Sequence, residues 1–169
     1  MILYVSEKYS TAEKWGKTKL NKILWRADFQ SFLSRGVPVT GRPYQRLPKG
    51  PAPVEMAPVL GEMLNSKQIR IENNHFSNSI WEERIIALQS PNLQIFSNDD
   101  LHFIDEAIAH YWADTAREVS DDSHGIAWES RADGDPMPYE LAYISDRTLS
   151  LELQAKLKQR AQECGWKSA

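Results

Sequence analysis

Cysteine is almost missing from this sequence. Cys164 stands alone, which excludes an internal disulfide and fits a reducing compartment. A basic excess is missing too: Lys plus Arg is 20 against 23 for Asp plus Glu, a net charge of −3. That balance removes the usual footprint of a general nucleic-acid binder. No apolar run approaches the ~20 residues that span a bilayer. The opening Met1-Ile2-Leu3-Tyr4-Val5 has no basic region before it, so a signal peptide is not expected and the expected setting is the cytoplasm. Repeats, low-complexity tracts and linkers are missing as well, and residues 1–169 are read as one domain. Catalytic motifs are equally scarce. There is no Gly-x-Ser-x-Gly, no His-Glu-x-x-His and no cysteine pair. Gly50-Pro51-Ala52-Pro53 is not a phosphate loop, because prolines lack the N–H donors that an anion nest needs.

What is present is a helix running into a proline-stiffened loop. Leu20, Ile23, Leu24 and Ala27 recur at helical spacing, and Trp25, Phe29 and Phe32 form a second stripe. A helix apolar on most of its circumference belongs at the centre of a fold. The helix is predicted over Lys19–Arg35, with Thr18 as N-cap and Gly36 as the terminating glycine. Asp28 falls between the stripes, so its carboxylate is expected to be buried and to need a partner. Arg46 is the first choice, since a guanidinium can bond a carboxylate at two points; Arg42 fits the same argument, and a loop backbone N–H is the other expected donor. The loop carries Pro38, Pro43, Pro48, Pro51 and Pro53, which favour an ordered, extended course.

These residues carry a resemblance. Lys19-Leu20-Asn21-Lys22-Ile23-Leu24-Trp25-Arg26-Ala27-Asp28-Phe29, then Gly41-x-x-Tyr44, then Gly50-Pro51-x-Pro53, resembles the Panacea (SocA-like, phage-associated GepA-like) antitoxin domain. The lead-in Pro91-x-Leu93-x-x-Phe96-Ser97 and the later Ser120-x-x-Ser123-His124-x-x-x-Trp128 are similar to two further stretches of that family. Gly125 departs from it, where the family more often has a helix former. The matching motif residues are Lys22, Asp28, Gly41, His124 and Trp128, in structural or functional roles. The resemblance implies an antitoxin that binds a cognate toxin encoded beside it, with a homodimer, a protease or a chaperone as further possible partners. No cofactor, metal or membrane is implied, and nucleic acid is not an expected partner.

The rest of the chain completes an α+β, predominantly helical expectation. The resemblance makes residues 2–5 a short helix, although their content reads as a strand. Residues 54–64 suit a helix with Pro58 in its first turn. Residues 68–72 alternate as a strand, Asn73-Asn74 reads as a turn, and residues 83–89 return. Ser97 to Asp100 resembles a capping box, and apolar spacing from Leu101 through Val119 predicts five helical turns. A last helix is predicted over 145–164, with Leu149, Leu153 and Leu157 as its buried row.

Two constellations are weighed for chemistry. His102, Glu106, His110 and Asp114 lie in a row opposite the apolar face of their helix, which makes them its solvated side and not a metal site. His124 is either a buried switch or partner contact, or a hydrogen-bonded histidine fixing a short helix, and the second is favoured. The loop is the expected partner surface, through Tyr44, Arg46, Pro48, Gly50 and Pro51, because rigid aromatic and arginine groups anchor interfaces with little entropy lost. The competing classes are a small hydrolase using Asp28 and His124 in one open cleft, and a prophage regulatory protein, which would need a basic stripe.

Overall fold

The computed structural model describes residues 1–77 and 80–144, without the side chains of 74–77, 80 and 81. The predicted last helix and Cys164 lie outside the described residues. In order, the elements are α1 (Ile2–Lys8), α2 (Lys17–Arg35), β1 (Tyr44–Gln45), β2 (Ala52–Pro53), α3 (Met56–Asn65), β3 (Ile69–Ser77), β4 (Ile80–Ala87), a 3-10 turn (Leu93–Ile95), α4 (Asn98–Tyr111), α5 (Ala116–Asp122), α6 (Ile126–Glu129) and a second 3-10 turn (Tyr139–Tyr143). The architecture is α+β and mostly helical, as the sequence predicts.

Helix α2 is the axis. It packs against α1, α4, α5, β2, β4 and the second 3-10 turn. Its buried positions include Leu20, Ile23, Leu24, Ala27 and Phe29, but also Lys19, Lys22, Asp28 and Ser31. The main core gathers around its first half, with Val5, Tyr9, Trp15, Ile85, Ile104, Tyr111 and Val119 fully enclosed. Trp15 stacks on Tyr9, and its indole N–H donates to the Ile85 carbonyl at 2.8 Å. A second, smaller core of Phe29, Tyr44, Met137 and Leu141 gathers around the other half.

Three of the boundaries that differ from the sequence expectation have a clear physical reason or consequence. Helix α2 begins at Lys17 with Gly16 at the N-cap, so Thr18 lies inside the first turn. Asn73-Asn74 is not the hairpin turn. Both residues sit in the β3–β4 ladder, opposite Glu83 and Glu82, because cross-strand pairing overrides a local turn preference. The predicted five-turn helix is two helices. Thr115 accepts from the Glu118 N–H while the Glu118 carboxylate accepts from the Thr115 N–H, a capping box that starts α5 and ends any continuation of α4. Val119 keeps its buried place, on the second helix. Gly36 does close α2, in the left-handed conformation at φ 74°.

Candidate functional site

The long loop leaves α2 at Gly36 and is clipped shut by the two-residue ladder of Tyr44 with Pro53 and Gln45 with Ala52. Residues 134–137 run along the other side of β1. The Arg46 N–H donates to the Asp135 carbonyl at 2.9 Å, and the Met137 N–H donates to the Tyr44 carbonyl at 2.8 Å.

Asp28 sits beneath the start of this loop and is fully buried. Neither arginine reaches it. One oxygen accepts from the Thr40 N–H at 2.6 Å, and the other from the Thr40 hydroxyl at 2.5 Å and the Tyr44 hydroxyl at 2.7 Å. Burial raises its pKa above the usual carboxylate value, and the Thr40 and Tyr44 bonds pull it back down. The arginine pairing is therefore corrected: Arg42 pairs with Glu55 at 2.9 Å, and Arg46 pairs with Asp133. Neutral hydroxyls can be buried beside a carboxylate at less desolvation cost than a guanidinium.

Between the two strands the loop crosses the helices as a strap. Three alternate carbonyls are each held by a side chain from a different helix. Leu47 accepts from the Trp128 indole N–H at 2.9 Å, Lys49 from the Ser120 hydroxyl at 3.0 Å, and Pro51 from the Lys22 amine at 2.7 Å. Proline supplies the reason. Each one removes an N–H, so the strap has more carbonyls than donors and takes donors from outside. Gly50 makes the tight point, at φ 94° with the Lys22 and Ser123 side chains against it.

Trp128 is clamped. The His124 ring stacks on it with centroids 3.8 Å apart, and the Arg46 guanidinium lies 3.8 Å from the same ring centre. One face has no room for both groups at that distance, so they take opposite faces, and the cation gains from the ring quadrupole. His124 is only partly buried, with Ser120 Oγ 3.5 Å from its Nε2. Its pKa is lowered by burial, then by the charges of Lys22 and Arg46, against opposing pulls from Asp121 and Glu129.

Lys22 is the electrostatic oddity. It is 1% exposed, with its amine on a backbone carbonyl, and burial alone pushes its pKa down to about 7. The unfolded chain holds this proton up to its ordinary value of 10.5, whereas the native chain releases it from about 7. Stability should therefore rise with pH through that window, and the burial cost is fully present below it. The amine of Lys19, lowered by burial to a smaller extent, acts in the same direction. Urea midpoints should be higher at pH 9 than at pH 7, and Lys22→Met should remove most of the difference. An unchanged difference in that variant would show the amine to be solvated.

The sequence-predicted site residues thus divide. Lys22 and Trp128 hold the strap directly, and His124 packs on Trp128. Asp28 anchors the loop's first part in a separate cluster, so Asp28 and His124 do not form one open cleft. Gly41 is exposed in the loop at φ 67°. Of the expected partner surface, Tyr44, Gly50 and Pro51 are buried and face inward, a correction that follows from the Asp28 bond and the tight turn. The Arg46 side chain is 17% exposed, and Pro48 is exposed beside Lys49. Sequence reasoning missed Thr40 and Asp133, and it placed Ser120 in a motif without giving it a role. The surplus of carbonyls in a proline-rich loop was the available signal for Ser120.

The His102, Glu106, His110, Asp114 row spans two environments. His102 and Glu106 are about two-thirds exposed, while His110 approaches Asp122 at 3.4 Å. Among the described residues no group of three or more His, Cys, Asp or Glu side chains is placed to hold a metal ion. No helix among them is long and apolar enough to cross a membrane.

A family model, Antitoxin SocA-like, Panacea domain, matches residues 20–129. The chain belongs to this family. The match takes in α2 from Leu20 onward, the whole strap and all three of its side-chain donors, and it stops one residue beyond Trp128. No curated protein and no solved structure matches. In this Panacea domain, the segment from 134 to 137 beside β1 lies beyond the matched region, as does the Arg46 partner Asp133.

Proposed function

We propose that this Panacea-domain chain is the antitoxin of a toxin–antitoxin pair and neutralises a cognate protein toxin by direct, stoichiometric contact, without turnover. Membership of the SocA-like antitoxin family carries the reading. The site's chemistry supports it. Asp28 has both oxygens occupied by Thr40 and Tyr44, and the Lys22 amine is sealed under the strap. Neither is available to a substrate. Instead the strap is a surface fixed in place by three side chains, with Pro48 and Lys49 outward and Arg46 at its edge. Such pre-ordered surfaces lose little entropy on binding.

The test is genetic. Expression of the neighbouring gene alone should arrest growth, and co-expression of this chain should restore it. Pro48→Asp with Lys49→Glu should weaken the rescue while the purified variant unfolds at the wild-type temperature. A harmless neighbour, or one fully toxic while both proteins accumulate in soluble form, would contradict the reading.

A further inference from the structure

A concavity borders the same loop. It lies where α1, residues 40–44, the start of α3 and the 91–96 segment meet, and encloses about 380 Å³. Ile2, Leu24, Met56, Val59, Met63 and Ile95 make its apolar wall. Arg42 and Glu55 are its only charged side chains among those described, and they pair at 2.9 Å; Met1, which also lines it, has an amine whose pKa burial holds below the ordinary value. The apolar surface continues past the cavity. Ile95 is 69% exposed, more than any other large hydrophobic residue described; Leu93, two residues before it, is 43% exposed, and Val54, between the lining residues Pro53 and Glu55, is 46% exposed.

We propose that this groove seats neighbouring apolar side chains of the toxin, presented by one uncharged segment. The inference rests on the antitoxin reading and adds a second contact surface to the strap. Charge complementarity selects the occupant. A charged group entering the groove would lose hydration and find little compensation, because Arg42 and Glu55 are already paired and burial disfavours the cationic form of the Met1 amine; an uncharged apolar segment pays neither cost. Extent selects a protein over a small molecule. A compound confined to the cavity would leave Ile95 and its neighbours in water, whereas a protein segment covers cavity and rim together. Methionine suits such a wall, since its unbranched thioether adapts to the contours of an incoming side chain.

The methionines provide a built-in probe. The chain has four, and Met1, Met56 and Met63 line the groove while Met137 sits in the second core. With methyl-labelled methionine, titration with the purified product of the neighbouring gene should shift the first three resonances and leave Met137 in place. Ile95→Asp should weaken binding by about tenfold or more, the effect of losing a central anchor. Ile95→Leu should bind as wild type. Leu33→Asp, a similar change at an apolar position that is 41% exposed outside the groove, should also bind as wild type. If wild type binds and rescues while Ile95→Asp binds equally well, or while only Met137 shifts, the groove is overturned and the antitoxin reading stands. If Leu33→Asp loses as much as Ile95→Asp, the groove is likewise overturned. If the wild-type chain neither binds nor rescues, both inferences fall.

Discussion

Replacing Asp28 by alanine should lower the unfolding free energy by about 3 kcal/mol, as expected when buried donors lose their acceptor. The substitution removes both oxygens at once. The Thr40 N–H, the Thr40 hydroxyl and the Tyr44 hydroxyl would all lose their acceptor, and Tyr44 is too buried to find water in its place. Asp28→Asn separates hydrogen bonding from charge. Its carbonyl can still accept from the Thr40 N–H, and the two hydroxyls can rotate to accept from the new amide. It also removes a charge whose burial already raises the carboxyl pKa. The asparagine variant should therefore lose less than about 1 kcal/mol, within the range of one net hydrogen bond. Urea unfolding at pH 7 checks both. Equal losses for alanine and asparagine would mean that the charge, not the acceptor pattern, holds the loop.

Gly50→Ala should cost about 3 kcal/mol, from a strained backbone added to overpacking. At φ 94° any side chain is disfavoured, and the new Cβ would lie 2.1 Å from Ser123 Oγ and 2.8 Å from Lys22 Cε and Nζ. Ser123 is pinned by its own bond to the Ser120 carbonyl at 2.7 Å, and Lys22 by its bond to Pro51, so neither can move away freely. The damage should centre on the strap. Amide exchange at Gly50, whose N–H donates to Leu47, should speed up more than exchange in α4. Ser123→Ala in the Gly50→Ala background should recover only part of the loss, because the backbone strain and the Lys22 contact remain. A loss below about 1 kcal/mol would show that the strap yields without breaking.

The central helix was legible in the sequence because its two apolar stripes left little room for a solvated face. Gly36 marked its end for a reason local to one residue. The start was not legible. Thr18 is a good capping residue, but Gly16 takes the cap position. The α4–α5 break was written in Thr115 and Glu118, a capping box hidden inside an apolar periodicity that runs straight through it. Asp28 was correctly expected to be buried with a partner from the loop. The other expected donor, a loop backbone N–H, is there from Thr40, but the preferred arginine is not; attraction between opposite charges was weighed above the cost of burying both. The inward course of Tyr44, Gly50 and Pro51 could not be read from the sequence. A proline-rich loop looks like a presented surface whether its side chains or its carbonyls face the core.

Direct contact without turnover is the central claim, and one titration tests it. The purified product of the neighbouring gene is titrated with this chain in a calorimeter, and the mixture's intact masses are then measured. The expected result is saturable binding that ends at a fixed whole-number ratio, with both masses unchanged. The contradicting result is no heat of binding with both proteins folded, or a change in the partner's mass at amounts of this chain far below equivalence.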